Sequence, residues 1–272
     1  MIDHHMPDET YHARPELSST GARSLLPEFA GSPAKYQWNL THPRTSASFD
    51  IGHAVHARVL GTGLQAIAYP EELLAANGAA STKAAKDWAA EQRANGLVPM
   101  KAVEVNVIRK ISDAVLGHPE ARNILETAAH RETSIFSTSP EGVNMRARFD
   151  IYGDTDAADL KTTTDASPRG FLRHVTEYGY HVQEAWYRDT HRFETGTELD
   201  TFKFIAVETS GPYQVAVHEL DALFQRIGTE LAKRARDTYA ECVETGIWPG
   251  IHGELLGPPM WMVYQHEEEM AV

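Results

Sequence analysis

Cysteine is nearly absent, with Cys242 the one thiol in 272 residues. A disulfide framework within one chain is therefore excluded, and so is a multi-cysteine zinc or iron–sulfur centre. That usage fits a reducing cytoplasm, the location expected here. No apolar run approaches the roughly 20 residues that a membrane-spanning helix needs. The opening stretch MIDHHMPDETYHARPE is too polar for a secretion signal. Positive charge is also scarce: 25 Lys and Arg face 38 Asp and Glu, for a net charge of −13. This is the wrong sign for a protein that coats nucleic acid. Any DNA contact would have to come from a local groove, or from a metal ion that cancels carboxylates near a phosphate. What remains is ordinary globular usage, 42% hydrophobic and 23% charged, which is enough to bury a core.

The chain shows no internal repeat, low-complexity tract or clear linker, and reads as one domain over 1–272. Residues 1–130 are expected to be mainly helical. Ser18 or Ser19 caps a short helix, Ser32-Pro33 opens another, and Ser81 caps the run that Gly96 closes. In FDIGHAVHARVL, Val55 and Val59 share a helical stripe. The apolar spacing of 100–129 gives two helices split at Gly117-His118-Pro119. From 131 to 251 the pattern turns α/β. TSIFST and VNMRARFDIY alternate around an SPEG turn, and GDTDA turns the chain again into ADLKTT. The chain is helical from Ser167-Pro168 through Phe193. FKFIAVE and YQVAVHEL pair next, and a long amphipathic helix from Leu220 ends at Gly246. Residues 252–272 read as a tail. The order predicts a mixed β-sheet flanked by helices, with a helical N-terminal region.

The chemistry concentrates in MRARFDIYGDTDAADLKTTTD, residues 145–165. Side chains alternate along a strand, so Asp159 and Lys161 point to one face. Asp150 ends the preceding strand across the turn, so the two carboxylates can converge with an ammonium beside them. Oxygen ligands of this kind suit Mg2+ or Mn2+. A salt-bridged, solvated hairpin would carry the same tripeptide. Three further features bear on the choice. His56 sits on the helical face of GHAVH and could be a ligand or a core histidine, with His53 one turn earlier as competitor. Gln183 and Tyr187 lie one helical turn apart and could contact phosphate or bases, although Tyr187 could equally be core. Glu132 opens the strand before that of Asp150, either as another site carboxylate or as an exposed strand start.

GHAVH, RARFD, ADLKT and QEAWY, in that order, resemble the PD-(D/E)XK nuclease superfamily, and most closely its phage and prophage exonuclease VIII (RecE-type) branch. YHARPELSSTGARSLLPEFAGSPAKYQW is similar to the N-terminal signature of that branch, and SFDIGHAVHARVL to its histidine helix. DLKTTTDASPRGFLRHVTEYGYHVQEAWYRD, FIAVETSGPYQVAVHELD and GIWPGI are similar to its core and C-terminal half. The resemblance implies a restriction-endonuclease-like core, with His56, Asp150, Asp159 and the Leu160 carbonyl as metal ligands. Lys161 would be the catalytic lysine, Gln183 and Tyr187 a Q-x-x-x-Y pair, and Glu132 the strand-opening acid. One departure stands out: where the histidine helix often ends in an acid, this chain reads VLGTG.

The same resemblance implies a Mg2+-dependent exodeoxyribonuclease, with Mn2+ able to substitute, that degrades one strand of duplex DNA 5′-to-3′ from its end. It also implies a homo-oligomeric ring, a trimer or tetramer, around DNA, and a single-strand annealing protein as partner for recombination. Arg146, Arg148, Arg169 and Arg173, with His174, are the candidates for lining such a ring. An endonuclease, a single-strand-specific nuclease or an inactive DNA-end-binding scaffold are the other readings. Inactive relatives usually lose the lysine or an acid, and Asp150, Asp159 and Lys161 are all present.

Overall fold

The computed structural model describes residues 1–42, 51–253 and 256–270. The N-terminal part contains β1 (Ile2–Asp3), α1 (Asp8–His12), β2 (Leu17–Ser18), α2 (Ser19–Leu25), α3 (Pro33–Thr41) and α4 (Ile51–Leu60). It continues with β3 (Gln65–Ala68), α5 (Lys83–Ala94), β4 (Leu97–Met100), α6 (Ala102–Gly117) and α7 (Pro119–Thr127). The remainder comprises β5 (His130–Thr138), β6 (Asn144–Tyr152), β7 (Asp156–Thr163), α8 (Pro168–Tyr178), α9 (Tyr180–Thr195), β8 (Thr201–Glu208), β9 (Val215–Glu219), α10 (Ala222–Thr245) and α11 (Met260–Met270). The main sheet runs β1-β5-β6-β7-β8-β9, with β2 also paired to β6. The β7–β8 and β2–β6 pairs are parallel and the others antiparallel, so the sheet is mixed. Among the described residues no helix is long and apolar enough to cross a membrane.

Most boundaries follow the capping chemistry. Ser18 accepts from the Gly21 N–H, Ser32 from Lys35 ahead of Pro33, and Ser167 from Gly170 ahead of Pro168. The cap of α5 is Thr82, not Ser81, because the Thr82 hydroxyl reaches the Ala85 N–H. The N-terminal region is less purely helical than its periodicity suggests. β1 and β2 extend the main sheet, and β3 and β4 form a separate parallel pair. Such two- to four-residue strands are too short to show an alternation. The tail carries α11. Ser48–Asp50, which open the stretch similar to the histidine helix, lie outside the described residues.

The helical run after Ser167 is broken at Gly179, which takes φ +68°. Its N–H caps α8 through the Val175 carbonyl, and α9 starts at the next residue. A side chain there would be strained by conformation, and its Cβ would lie 2.7 Å from Phe29 and 2.8 Å from Arg23. Glycine meets both demands.

The sheet separates two apolar cores. Phe149, Ala157, Phe202 and Phe204 pack with α2, α8, α9 and α10, burying Trp186 completely. Ile151, Ala158, Leu160, Ile205 and Val207 pack with α4, α6 and α7. Gly228 lets α10 approach the His181 carbonyl of α9, where an added Cβ would lie only 2.2 Å from that oxygen. The functional consequence comes from β6. Met145, Ala147 and Phe149 face the first core but Ile151 faces the second, so the alternation slips at Asp150. Across the ladder, the pairs Arg131↔Ile151 and Thr133↔Phe149 bracket Glu132, which holds φ +54°. A non-glycine residue in that region mid-strand is uncommon and carries strain.

Candidate active site

Beyond the β6–β7 turn only two residue pairs stay in register, Ile151↔Ala158 and Tyr152↔Ala157. The strands then splay, and β2 takes the partner position on β6 at Met145 and Arg146. Into this fork projects Asp150, whose Oδ2 accepts the Leu160 N–H at 2.7 Å. A backbone donor that has lost its ladder partner is thus satisfied by a carboxylate.

Around the fork the sequence-expected residues assemble. His56 Nδ1–H donates to the Gly52 carbonyl at 2.9 Å, which aims Nε2 at Asp150 Oδ2, 3.2 Å away. Asp159 is 3% exposed. Its Oδ1 accepts from Gln183 Nε2 at 2.6 Å. Its Oδ2 touches Lys161 Nζ as an ion pair but receives no hydrogen bond of acceptable geometry. The alternation that sends Leu160 into the second core turns Asp159 and Lys161 together toward α9. His53 is exposed on the same helix, close enough to Asp8 to help lower its carboxyl.

The electrostatics separate the two carboxylates. Burial works to raise Asp150, but His56, Lys161 and the Leu160 N–H outweigh it and hold the group below the usual carboxylate range. Burial raises Asp159, and the neighbouring Asp150 charge adds to that rise against the opposing Lys161. Burial disfavours a charged His56, yet Asp150, the Gly52 carbonyl and Asp159 lift it to about 9. Glu132 is raised by burial and then by Asp150, while Arg148 partly offsets both. Perturbations of this kind, clustered in one cleft, make these residues the candidate site.

The remaining candidates divide by location. Arg148 pairs with Glu132 and donates to the Met6 carbonyl at 3.0 Å. Arg146 binds the carbonyls of Tyr11 and Arg14. Both arginines also line a cavity of about 430 Å3 with Asp150, Tyr187, Tyr11 and Ser18. Tyr187 is core and site at once: it is 9% exposed and packs on Phe149 with centroids 4.7 Å apart, yet it faces that cavity. Arg169 and Arg173 stay on the exposed face of α8, where Arg173 approaches Asp165 at 3.5 Å. They are not brought into the cluster. A cavity of about 460 Å3 between Glu141, Val143 and Tyr239 shares no residue with the site.

Two site neighbours escaped the sequence reading. Arg23 of α2 donates to the Ser19 and Tyr178 carbonyls, and its charge is felt by Tyr187, Tyr180 and Asp159. Tyr180 lies under the Lys161 ammonium, 4.8 Å from Nζ to the ring centroid. The glycine between two tyrosines in EYGYH was the available signal of a helix break there.

Asp150 and Asp159-Leu160-Lys161 thus meet at the fork of a mixed sheet. The model of a PDDEXK-like domain of unknown function (DUF3799) covers residues 22–255. The chain belongs to that family. Among solved structures, this PDDEXK-like domain is similar to a provisionally named exonuclease from Eubacterium rectale. The two share 13% identity at a TM-score of 0.60, covering 94% of this chain and 96% of that one. That likeness shows a shared fold. An alkaline exonuclease from Laribacter hongkongensis matches at 16% identity over 71% of this chain and 96% of that one, but its TM-score of 0.27 carries no argument. No protein of curated function matches.

PD-(D/E)XK nucleases generally use divalent metal ions. Among the described residues no three His, Cys, Asp or Glu side chains already form a closed ligand set. His56 and Lys161 instead neutralise one carboxylate each. The donors nevertheless suit a hard cation. Asp159 Oδ2 is a buried acceptor without a hydrogen bond, and Asp150 lies in the same fork. His56 has Nδ1 committed to backbone, which leaves Nε2 as its only ligating atom.

Proposed function

We propose that this chain is a divalent-metal-dependent nuclease that degrades one strand of linear duplex DNA from its end, in the 5′-to-3′ direction. The observation that carries the reading is the convergence of Asp150, Asp159, Lys161 and Gln183 at the β6–β7 fork. Asp150, Asp159, His56 and the Leu160 carbonyl would hold Mg2+, or Mn2+ in its place. When bound, such an ion supplies charge neutralisation at the phosphoryl group and a water of lowered pKa. Gln183 holds Asp159 in one rotamer through Oδ1. Lys161 carries the positive charge that orients the attacking water or meets the developing negative charge. Glu132, fixed by Arg148 across from Asp150, keeps a third carboxylate within reach as a base.

Arg146, Arg148 and Tyr187 line the cavity that opens beside Asp150, and we place the substrate strand there, with Arg169 and Arg173 meeting flanking phosphates. The net charge of −13 makes long-range attraction to DNA weak, so retention on the substrate favours a ring. Leu223 and Ile227 lie exposed one turn apart on α10, as apolar surface that a second copy in a trimer or tetramer would cover. A cytoplasmic setting and a single-strand annealing protein as recipient of the exposed strand complete the proposal.

The deciding assay is release of acid-soluble nucleotides from a blunt linear duplex and from a covalently closed circle, each with and without EDTA. Metal-dependent loss of the linear duplex alone is expected. Equal attack on the circle would make the chain an endonuclease, and no release from either would remove the nuclease reading.

A further inference from the structure

Lys161 is held from two sides. One is Asp159 Oδ2. The other is the face of Tyr180, 4.8 Å from Nζ to the centroid, which is cation–π distance. The ring is itself fixed. Gly179 places it at the first position of α9, it lies nearly parallel to Phe204 at 5.8 Å and 23°, and it contacts Phe171 at 5.7 Å. Burial raises its phenol to about 12, so the ring faces the ammonium as a neutral phenol.

The geometry points to Tyr180 as a positioning residue that holds Lys161 over the fork when Asp159 is engaged elsewhere. This rests on the nuclease reading. A carboxylate oxygen shared between two cations binds each more weakly, so the Asp159 contact loosens whenever Oδ2 serves a ligand. The ring face offers no lone pair to a hard cation and keeps its hold on the ammonium. A lysine left with four free side-chain torsions would spend less time where the reacting phosphate needs its charge. Lys161 thus acts on the substrate, and Tyr180 acts through Lys161.

The test compares Tyr180→Phe with pentafluorophenylalanine at position 180. Both keep the ring's shape, and fluorination reverses the potential of its face. Tyr180→Phe should cleave like wild type. The fluorinated protein should be slower by about 10- to 30-fold in single turnover, the worth of a desolvated cation–π contact. Its KM for DNA ends and its affinity for Mg2+ should be unchanged. In a Lys161→Ala background all three rings should give one rate. Equal rates for the two variants, or the same loss persisting without Lys161, would overturn the proposal. The ε-methylene protons of Lys161 provide a readout independent of cleavage. With Mg2+ bound, which draws Asp159 away, they should be shifted upfield by the ring in wild type and Tyr180→Phe, and less so in the fluorinated protein, whose ring face no longer holds the ammonium. If no DNA is cleaved but that shift is present, the nuclease reading fails while the placement of the lysine stands. An unshifted methylene overturns the placement itself.

Discussion

Removing the Lys161 ammonium separates the catalytic role proposed for it from its structural one. Asp159 is 3% exposed, and among the described residues Lys161 is the one cation in an ion pair with it. Deleting one member of a buried ion pair costs about 3–5 kcal/mol because a charge is stranded. The lower end applies here. Burial and the Asp150 charge already raise Asp159, so the orphaned carboxylate can take up a proton. Without divalent ions, Lys161→Ala should therefore lose about 3 kcal/mol, or roughly 5 °C in Tm for a chain of this size. A bound divalent ion restores the missing positive charge. At 100 times its Kd such a ion adds about 2.7 kcal/mol to a chain that binds it only when folded, and the variant should gain more than wild type because no ammonium competes. Cleavage should nonetheless fall by about two to four orders of magnitude, the loss typical of one preorganised electrostatic or proton-transfer group. Thermal melts with and without Mg2+, run beside single-turnover cleavage, measure both. If the variant cleaves at a near wild-type rate, the lysine is a salt-bridge partner and the nuclease reading loses its central residue.

Asp159→Asn should lose the Mg2+-induced rise in Tm together with cleavage, whereas Lys161→Ala keeps the first; differential scanning fluorimetry on the pair shows the split. Gly179→Ala forces a Cβ into Phe29 and Arg23 at φ +68°, and should cost about 2–4 kcal/mol in urea unfolding. Glu184, 1% exposed with one oxygen unpartnered, is raised by burial to about 7 from an ordinary 4.5 despite Arg188. Between those values the folded chain keeps a proton that the unfolded chain has released. Stability therefore falls as pH rises from about 4.5 to 7 and then levels off, with this group accounting for a loss of roughly 3 kcal/mol. Glu184→Gln should flatten that slope, as urea denaturation at pH 5 and pH 8 would register.

Much of the fold was legible because it rests on local chemistry. The caps at Ser18, Ser32 and Ser167, the turn in SPEG and the stop at Gly246 each depend on neighbours within four residues. The strand period alone puts Asp159 and Lys161 on one face and sends Leu160 to the other. Helical spacing likewise puts Gln183 and Tyr187 on one side of α9. Short elements were not legible. β1 and β2 exist because β5 and β6 offer them edges, and nothing in a two-residue stretch encodes that.

The sequence by itself determined which residues are the candidates for the chemistry, since the order of His56, Asp150, Asp159-x-Lys161 and Gln183-x-x-x-Tyr187 is a property of the chain. Only the tertiary structure decided how they meet. The β6–β7 ladder ends at Ile151↔Ala158, and the Asp150 carboxylate fills the fork by taking the Leu160 N–H. Helix α4, remote in sequence, delivers the imidazole to it. The same long-range packing put Tyr180 beneath Lys161 and drew Arg146 and Arg148 onto N-terminal carbonyls, leaving Arg169 and Arg173 in solvent. Side-chain period gives direction within one element. Distance between elements is set by where each buries its apolar face, and that depends on the whole core.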